Sequence, residues 1–101
     1  MRCYCILVHG KLNWVAERPA HDEFGAMKPA GFHCHRFVLA PHEAGAVEAT
    51  FRRVRENLDS QMGWLRDGLV TVELEAEEIT PAPIHKLHKP ENRGLTFYER
   101  E

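Results

Sequence analysis

The stretch PHEAGAVEATFRRVRENL, Pro41–Leu58, decides the fold of this chain of 101 residues. Its apolar side chains recur at intervals of three and four residues, and they are Val47, Phe51, Val54 and Leu58. That spacing lines one face of an α-helix. Pro41 suits the first helical turn, and Glu43 favours the positive end of the helix dipole. We expect the helix to end at Gly63 or Gly68.

Four segments outside the helix are predicted to form β-strands. They are Arg2–Val8, Phe32–Leu39, Leu69–Ile79 and Leu95–Glu99. The third alternates apolar residues with glutamates, which predicts one buried and one solvated face. Gly10 either turns the first strand into a hairpin with Leu12–Ala16 or lies at a bulge in a longer strand. The segments 17–31 and 80–94 hold prolines and glycines and are expected to be irregular.

This element order predicts a single α+β domain over residues 1–101. One long helix covers one face of a mainly antiparallel sheet of four to five strands, which gives a structure of two layers. The order is partly similar to that of the ferredoxin-like folds. The resemblance rests on element order alone and implies no activity.

The sheet face without a helix needs a cover. Both sides of Arg2–Val8 are largely apolar, so an uncovered side would expose apolar surface to water. A second copy of the chain is the expected cover, and this predicts a homodimer through the uncovered sheet face. The alternative is that the proline-rich segment 80–94 folds back over the sheet.

The charge balance disfavours several classes of partner. The chain has 13 basic and 15 acidic residues, a formal net charge of −2. Without a basic surplus, neither nucleic-acid binding nor membrane-surface binding is expected. The apolar runs are shorter than the ~18 residues of a membrane span and shorter than a secretory signal. Three cysteines, an odd number, fit a reducing compartment. The protein is therefore predicted to be cytoplasmic.

The segment GFHCHRFVLA, residues 31–40, raises the question of a metal site. In a strand, His33 and His35 share one face. Cys3 and Cys5 have the same spacing on a strand that is expected to be a neighbour. A zinc site formed by these two cysteines and two histidines is therefore a hypothesis, although C-x-C with H-x-H is not the usual spacing of structural zinc sites. No other cofactor is predicted.

The strand Leu69–Ile79 carries a row of carboxylates on its solvated side. They are Glu73, Glu75 and Glu77. Solvation alone accounts for such a row. If Arg36, or His33 and His35, stand across from it, each cross-strand charge pair would contribute roughly 0.2–1 kcal/mol.

A small dimeric enzyme is a further alternative, with a sheet-lined pocket near His9, Asn13 and Trp14. The sequence contains no nucleophile elbow, phosphate-binding loop or HExxH motif, so no catalytic residue is predicted. The expected function is a binding or self-associating domain without catalytic activity. Zinc binding and the dimeric enzyme remain its alternatives.

Overall fold

The computed structural model describes residues 1–15, 29–88 and 94–99. The elements are β1 Arg2–Trp14, β2 Gly31–Ala40, α1 Glu43–Met62, β3 Val70–Pro81, a 3₁₀ helix Ile84–His88 and β4 Thr96–Tyr98. The four strands form one antiparallel sheet in the order β3-β1-β2-β4. The predicted α+β fold of two layers is confirmed. Most of the loop predicted over 17–31, and part of the irregular segment predicted over 80–94, lie outside the described residues.

The long central strand β1 organises the sheet. Both β2 and β3 pair with it in antiparallel fashion, so they run parallel to each other with β1 between them. The helix α1 connects β2 to β3, and the three elements with β1 form a split β-α-β unit. This unit puts α1 on one face of the sheet. We call the other side, which is turned away from α1, the open face.

β1 is one strand of 13 residues that continues through Gly10. The alternative in which Leu12–Ala16 returns as a hairpin is therefore wrong, and the bulge considered at Gly10 lies on β3 instead. A Cβ atom at Gly10 would lie 2.2 Å from the ring of Phe32. Glycine is present there because the phenylalanine ring packs directly against the backbone of β1.

Helix α1 packs its buried row against the sheet. Its first turn is capped by His42, whose Nδ1 accepts a hydrogen bond from the amide of Gly45 at 3.0 Å, and it ends at Gly63 as predicted. The buried helical residues are Ala46, Thr50, Val54 and Leu58. Val47 and Phe51 are only partly buried, because each lies about 100° around the helix from the residue before it. The predicted stripe is therefore correct at Val54 and Leu58. In the first half of the helix the buried positions are Ala46 and Thr50, each one residue before the predicted Val47 and Phe51.

The outer side of α1 is charged. Glu48 and Arg52 approach to 4.0 Å at i,i+4 spacing, with both side chains exposed, an arrangement that stabilises a helix by about 0.2–0.5 kcal/mol. Within the described ranges, no helix combines the length and the apolar character needed to cross a membrane.

Arg36 lies fully buried between β2 and α1. Its Nε and Nη2 donate to Oδ1 of Asn57 at 3.2 and 2.9 Å, and its Nη1 donates to the carbonyl oxygens of His35 and Gly94 at 2.8 and 2.9 Å. Burial lowers the pKa of this guanidinium. The side chain points toward Asn57 of α1, so Arg36 does not stand across from the glutamate row.

The 3₁₀ helix and the residues before it cover one end of the open face. The amide of Ala82 donates to the carbonyl of Cys3 at 3.0 Å, and the thiol of Cys3 lies 3.6 Å from the carbonyl oxygen of Pro83. Phe37, on the same face, is 9% exposed. The alternative in which the segment after Thr80 folds back is therefore observed at this end of the sheet.

Candidate metal centre

Two histidines lie side by side at the centre of the open face. His9 on β1 is the direct cross-strand partner of His33 on β2. Their ring centroids are 4.8 Å apart, and their planes differ by 22°. Alternation along both strands turns these side chains away from α1. The backbone register alone therefore brings two imidazoles together.

Tyr98 on β4 completes an aromatic cluster with the two histidines. Its ring centroid lies 5.6 Å from that of His9 and 5.3 Å from that of His33. The Tyr98 hydroxyl and Nε2 of His9 share a hydrogen bond of 2.5 Å. The phenol thus reaches from the edge strand across β2 to the central strand.

Gly31 leaves the space in which the Tyr98 side chain extends toward His9. It is the cross-strand partner of Tyr98, and a Cβ atom in its place would lie 2.5 Å from the Tyr98 hydroxyl and 2.3 Å from the carbonyl oxygen of Gly10. Any side chain would therefore push the phenol away from His9. The contact between Tyr98 and His9 therefore requires a glycine at the start of β2.

A β-bulge on β3 brings a carboxylate to the histidines. Leu7 pairs with Glu78 and Val8 pairs with Ala76, so Glu77 is an extra residue in the ladder. A bulge redirects the side chain that it inserts. Oε1 of Glu77 lies 4.0 Å from Nε2 of His33, so His33 stands beside one carboxylate of the glutamate row.

His9, His33 and Glu77 form a set of potential metal ligands. One donor atom from each residue lies within 4.8 Å of the other two. Donor atoms that share a tetrahedral zinc ion lie about 3.3 Å apart, given metal–ligand bonds of about 2 Å. The side chain of Glu77 is 47% exposed, so it has room to approach the two imidazoles. The geometry fits a mononuclear site with three protein ligands.

The ligand set borders an open pocket of about 250 Å³. The pocket wall is formed by Leu7, Val8, His33, Cys34, His35, Glu77 and Thr96. The adjacent carboxylates of Glu75 and Glu78 are exposed on the same strand as Glu77. Three carboxylates on one short stretch of β3 attract cations to this pocket.

The four residues of the predicted zinc site are on the open face, but the register does not bring them together. Cys3 pairs with Leu39, whereas His33 lies six residues earlier on β2, a separation of about 20 Å along the strand. Cys5 pairs with Phe37, and the ring of His35 packs against that of Phe37. Of the four, only His33 belongs to the candidate metal centre.

The three cysteine thiols all have raised pKa values. Burial raises the pKa of Cys3, and burial together with the charge of Glu78 raises that of Cys5. Burial also raises the pKa of Cys34. All three are free cysteines.

The sheet separates Trp14 from His9 and Asn13, the other two residues considered as an enzyme pocket. His9 is central to the candidate metal centre. Asn13 is on the open face and donates to Oε2 of Glu73 at 2.9 Å. Trp14 faces the core, where it packs against Trp64 and donates to the carbonyl of Pro29 at 2.8 Å.

Sequence reasoning missed Tyr98 and did not connect His9 with His33. The two histidines could have been paired from the register of β1 and β2. In this antiparallel ladder Cys5 lies opposite Phe37, and the same register puts His9 opposite His33. Glu77 had no such signal, because a bulge changes the pattern from that residue onward.

Comparison of the chain with models of protein families, with curated proteins and with solved structures finds no match. The chemistry of the site therefore has to follow from its own residues.

Proposed function

We propose that the protein binds one divalent transition-metal ion on the open face of its sheet, through His9, His33 and Glu77. The observation that carries this proposal is the convergence of one donor atom from each residue to within 4.8 Å. Three different strands supply the three ligands, so the folded sheet pre-organises the set. This is a binding function and requires no catalytic residue.

The donor set favours transition metals over calcium or magnesium. Calcium and magnesium prefer shells of oxygen ligands, whereas imidazole nitrogen suits zinc, copper, nickel and iron. Two of the three ligands here are imidazoles. Three protein ligands also leave a coordination position for water or for a small molecule, and the pocket beside the site is open to solvent.

Isothermal titration of the tag-free protein with Zn²⁺ and Cu²⁺ tests the proposal. The expected result is one ion per chain, with copper bound more tightly than zinc. His9→Ala and His33→Ala should each lose tight, saturable binding, because each variant removes one of the two imidazole ligands on which the preference for a transition metal depends. Glu77→Gln should weaken binding, since the amide lacks the negative charge.

His85→Ala is the matched control, because His85 is an exposed histidine on the 3₁₀ helix and away from the ligand set. It should bind the ion as the unmodified protein does. Saturable binding that survives in both His9→Ala and His33→Ala would contradict the proposal. So would an equal loss of binding in His85→Ala.

Self-association through the open face is the second candidate, and two exposed leucines together with the acidic and imidazole groups of that face support it. The acidic strip on β3 consists of Glu73, Glu75, Glu77 and Glu78, whereas Lys11, His33 and His35 lie on β1 and β2. A two-fold axis parallel to the strands, between two facing sheets, would place the acidic strip of each copy over β2 of the other. Leu7 and Leu39, each 38% exposed, would then lose contact with water.

Light scattering over a range of protein concentrations tests the second candidate. The chain should be dimeric, and the double variant Glu73→Lys, Glu75→Lys should be monomeric because it removes the complementarity. Glu48→Lys, on the exposed side of α1, is the control and should stay dimeric. A monomer at every concentration of the unmodified chain would exclude this mode of association.

A further inference from the structure

We infer that Tyr98 is a fourth ligand of the metal and binds it through the phenolate oxygen. This inference rests on the proposed function of the His9, His33 and Glu77 site. It adds a second anionic oxygen donor and thereby specifies the class of ion. The resulting set of two imidazoles, one carboxylate and one phenolate is typical of Cu²⁺ with nitrogen and oxygen ligands.

The position of the phenol carries the inference. The Tyr98 oxygen lies 2.5 Å from Nε2 of His9. Ligand atoms around an ion with bonds of about 2 Å are roughly 3 Å apart. An ion bound by Nε2 of His9 would take the place of the shared proton, and the Tyr98 oxygen would have to move aside by roughly 1–2 Å to become its ligand.

The strand β4 holds Tyr98 in place on both sides. The amide of Ala30 donates to the carbonyl of Tyr98 at 2.8 Å. The preceding residue, Phe97, packs its ring against Phe32 and Trp64 in the core. Gly31 leaves the space that the phenol occupies. The hydroxyl is thus directed to the histidine pair by backbone pairing, by core packing and by a missing side chain.

Binding requires the loss of one proton. The phenolic O–H bond breaks, an oxygen–metal bond forms, and the proton passes to the solvent, with no change in the oxidation state of the ion. The hydrogen bond between Tyr98 and Nε2 of His9 is given up in the same step, which frees the nitrogen to bind. A bound cation promotes such deprotonation because it stabilises the phenolate.

A purely orienting role for Tyr98 would have a different signature. In that case the hydroxyl would hold His9 from outside the coordination sphere, and its loss would lower affinity by about 10–100-fold. Affinity alone therefore does not separate the two roles. A phenolate ligand of Cu²⁺ produces a visible charge-transfer band, whereas an orienting phenol produces none.

The experiment is a titration of the full chain with Cu²⁺, followed by visible absorption and by proton release into a weak buffer. The expected result is a charge-transfer band that saturates at one ion per chain, together with loss of the ultraviolet signature of one protonated tyrosine. Tyr98→Phe should lose the band and release one proton fewer. Tyr4→Phe, which changes the buried tyrosine on the opposite face of the sheet, should keep both signals.

Stoichiometric Cu²⁺ binding without the band would overturn the role of Tyr98 as a ligand and leave the three-ligand site intact. A band that persists in Tyr98→Phe would overturn it as well. Failure of the unmodified chain to bind any ion would instead remove the proposed function itself. If Tyr98→Phe does not fold, the band and the proton count of the unmodified chain still decide the matter.

Discussion

The two faces of the sheet share the same strands and are organised by different interactions. On the side of α1, Ile6, Val8 and Phe32 are each at most 1% exposed and pack with the helix. On the open face, Leu7 is 38% exposed, and the neighbouring positions are polar or titratable. The first face is held by apolar burial, which depends on residue type alone. The second depends on which polar side chains the register brings together.

The largest expected effect comes from a pair of alanine variants, one on each face. Phe32→Ala should lower the free energy of unfolding by about 3–5 kcal/mol, because it leaves a cavity between β1 and α1. His35→Ala, at a position on the same strand but on the open face, should change it by less than about 0.5 kcal/mol. Urea denaturation followed by circular dichroism measures both.

The contrast between these two variants checks the assignment of the faces. Comparable losses from Phe32→Ala and His35→Ala would mean that the open face is also buried, either by the chain itself or by a second copy. Measurement at several protein concentrations separates those two cases, since only association depends on concentration.

Gly31→Ala should lower the free energy of unfolding by less than Phe32→Ala does. At Gly31 the backbone of β1 and the Tyr98 side chain of the open face both lie close to β2. The new methyl group would collide with the carbonyl oxygen of Gly10 and with the hydroxyl of Tyr98. Overpacking of this kind costs about 1–3 kcal/mol. The imidazole NMR signals of His9 should shift as the contact with Tyr98 is lost. Unchanged stability and an unchanged His9 signal would show that β1, β2 and β4 are not as close as the structure has them.

The helix and the helix-side face could be predicted because their signals are local. Val54 and Leu58 follow the period of the helix, and Gly63 terminates it where the apolar pattern stops. Along β3 the half-buried Leu74 is followed by the exposed Glu75, and this alternation can also be read from neighbouring residues alone. Gly10 was ambiguous because the reason for the glycine is the ring of Phe32, which is distant in sequence.

The candidate metal centre could be predicted only in part because its geometry is not local. His33 was singled out from its own strand, but its partner His9 follows from the β1–β2 register and not from the spacing within either strand. Glu77 is directed by a bulge. Tyr98 reaches His9 only because Gly31 lacks a side chain. Each of these contacts depends on how distant segments are aligned.

The smallest expected effect concerns a polar group on the buried face. The hydroxyl of Thr50 is buried between α1 and the sheet and has no hydrogen-bond partner within the described part of the chain. An unpaired buried hydroxyl destabilises a protein, and replacement by an apolar group of the same shape relieves that cost. Thr50→Val should therefore raise the free energy of unfolding by up to about 1 kcal/mol, measured by urea denaturation. Thr71→Val, on the solvated side of β3, should give almost no change, and a loss of stability in Thr50→Val would mean that the hydroxyl is satisfied.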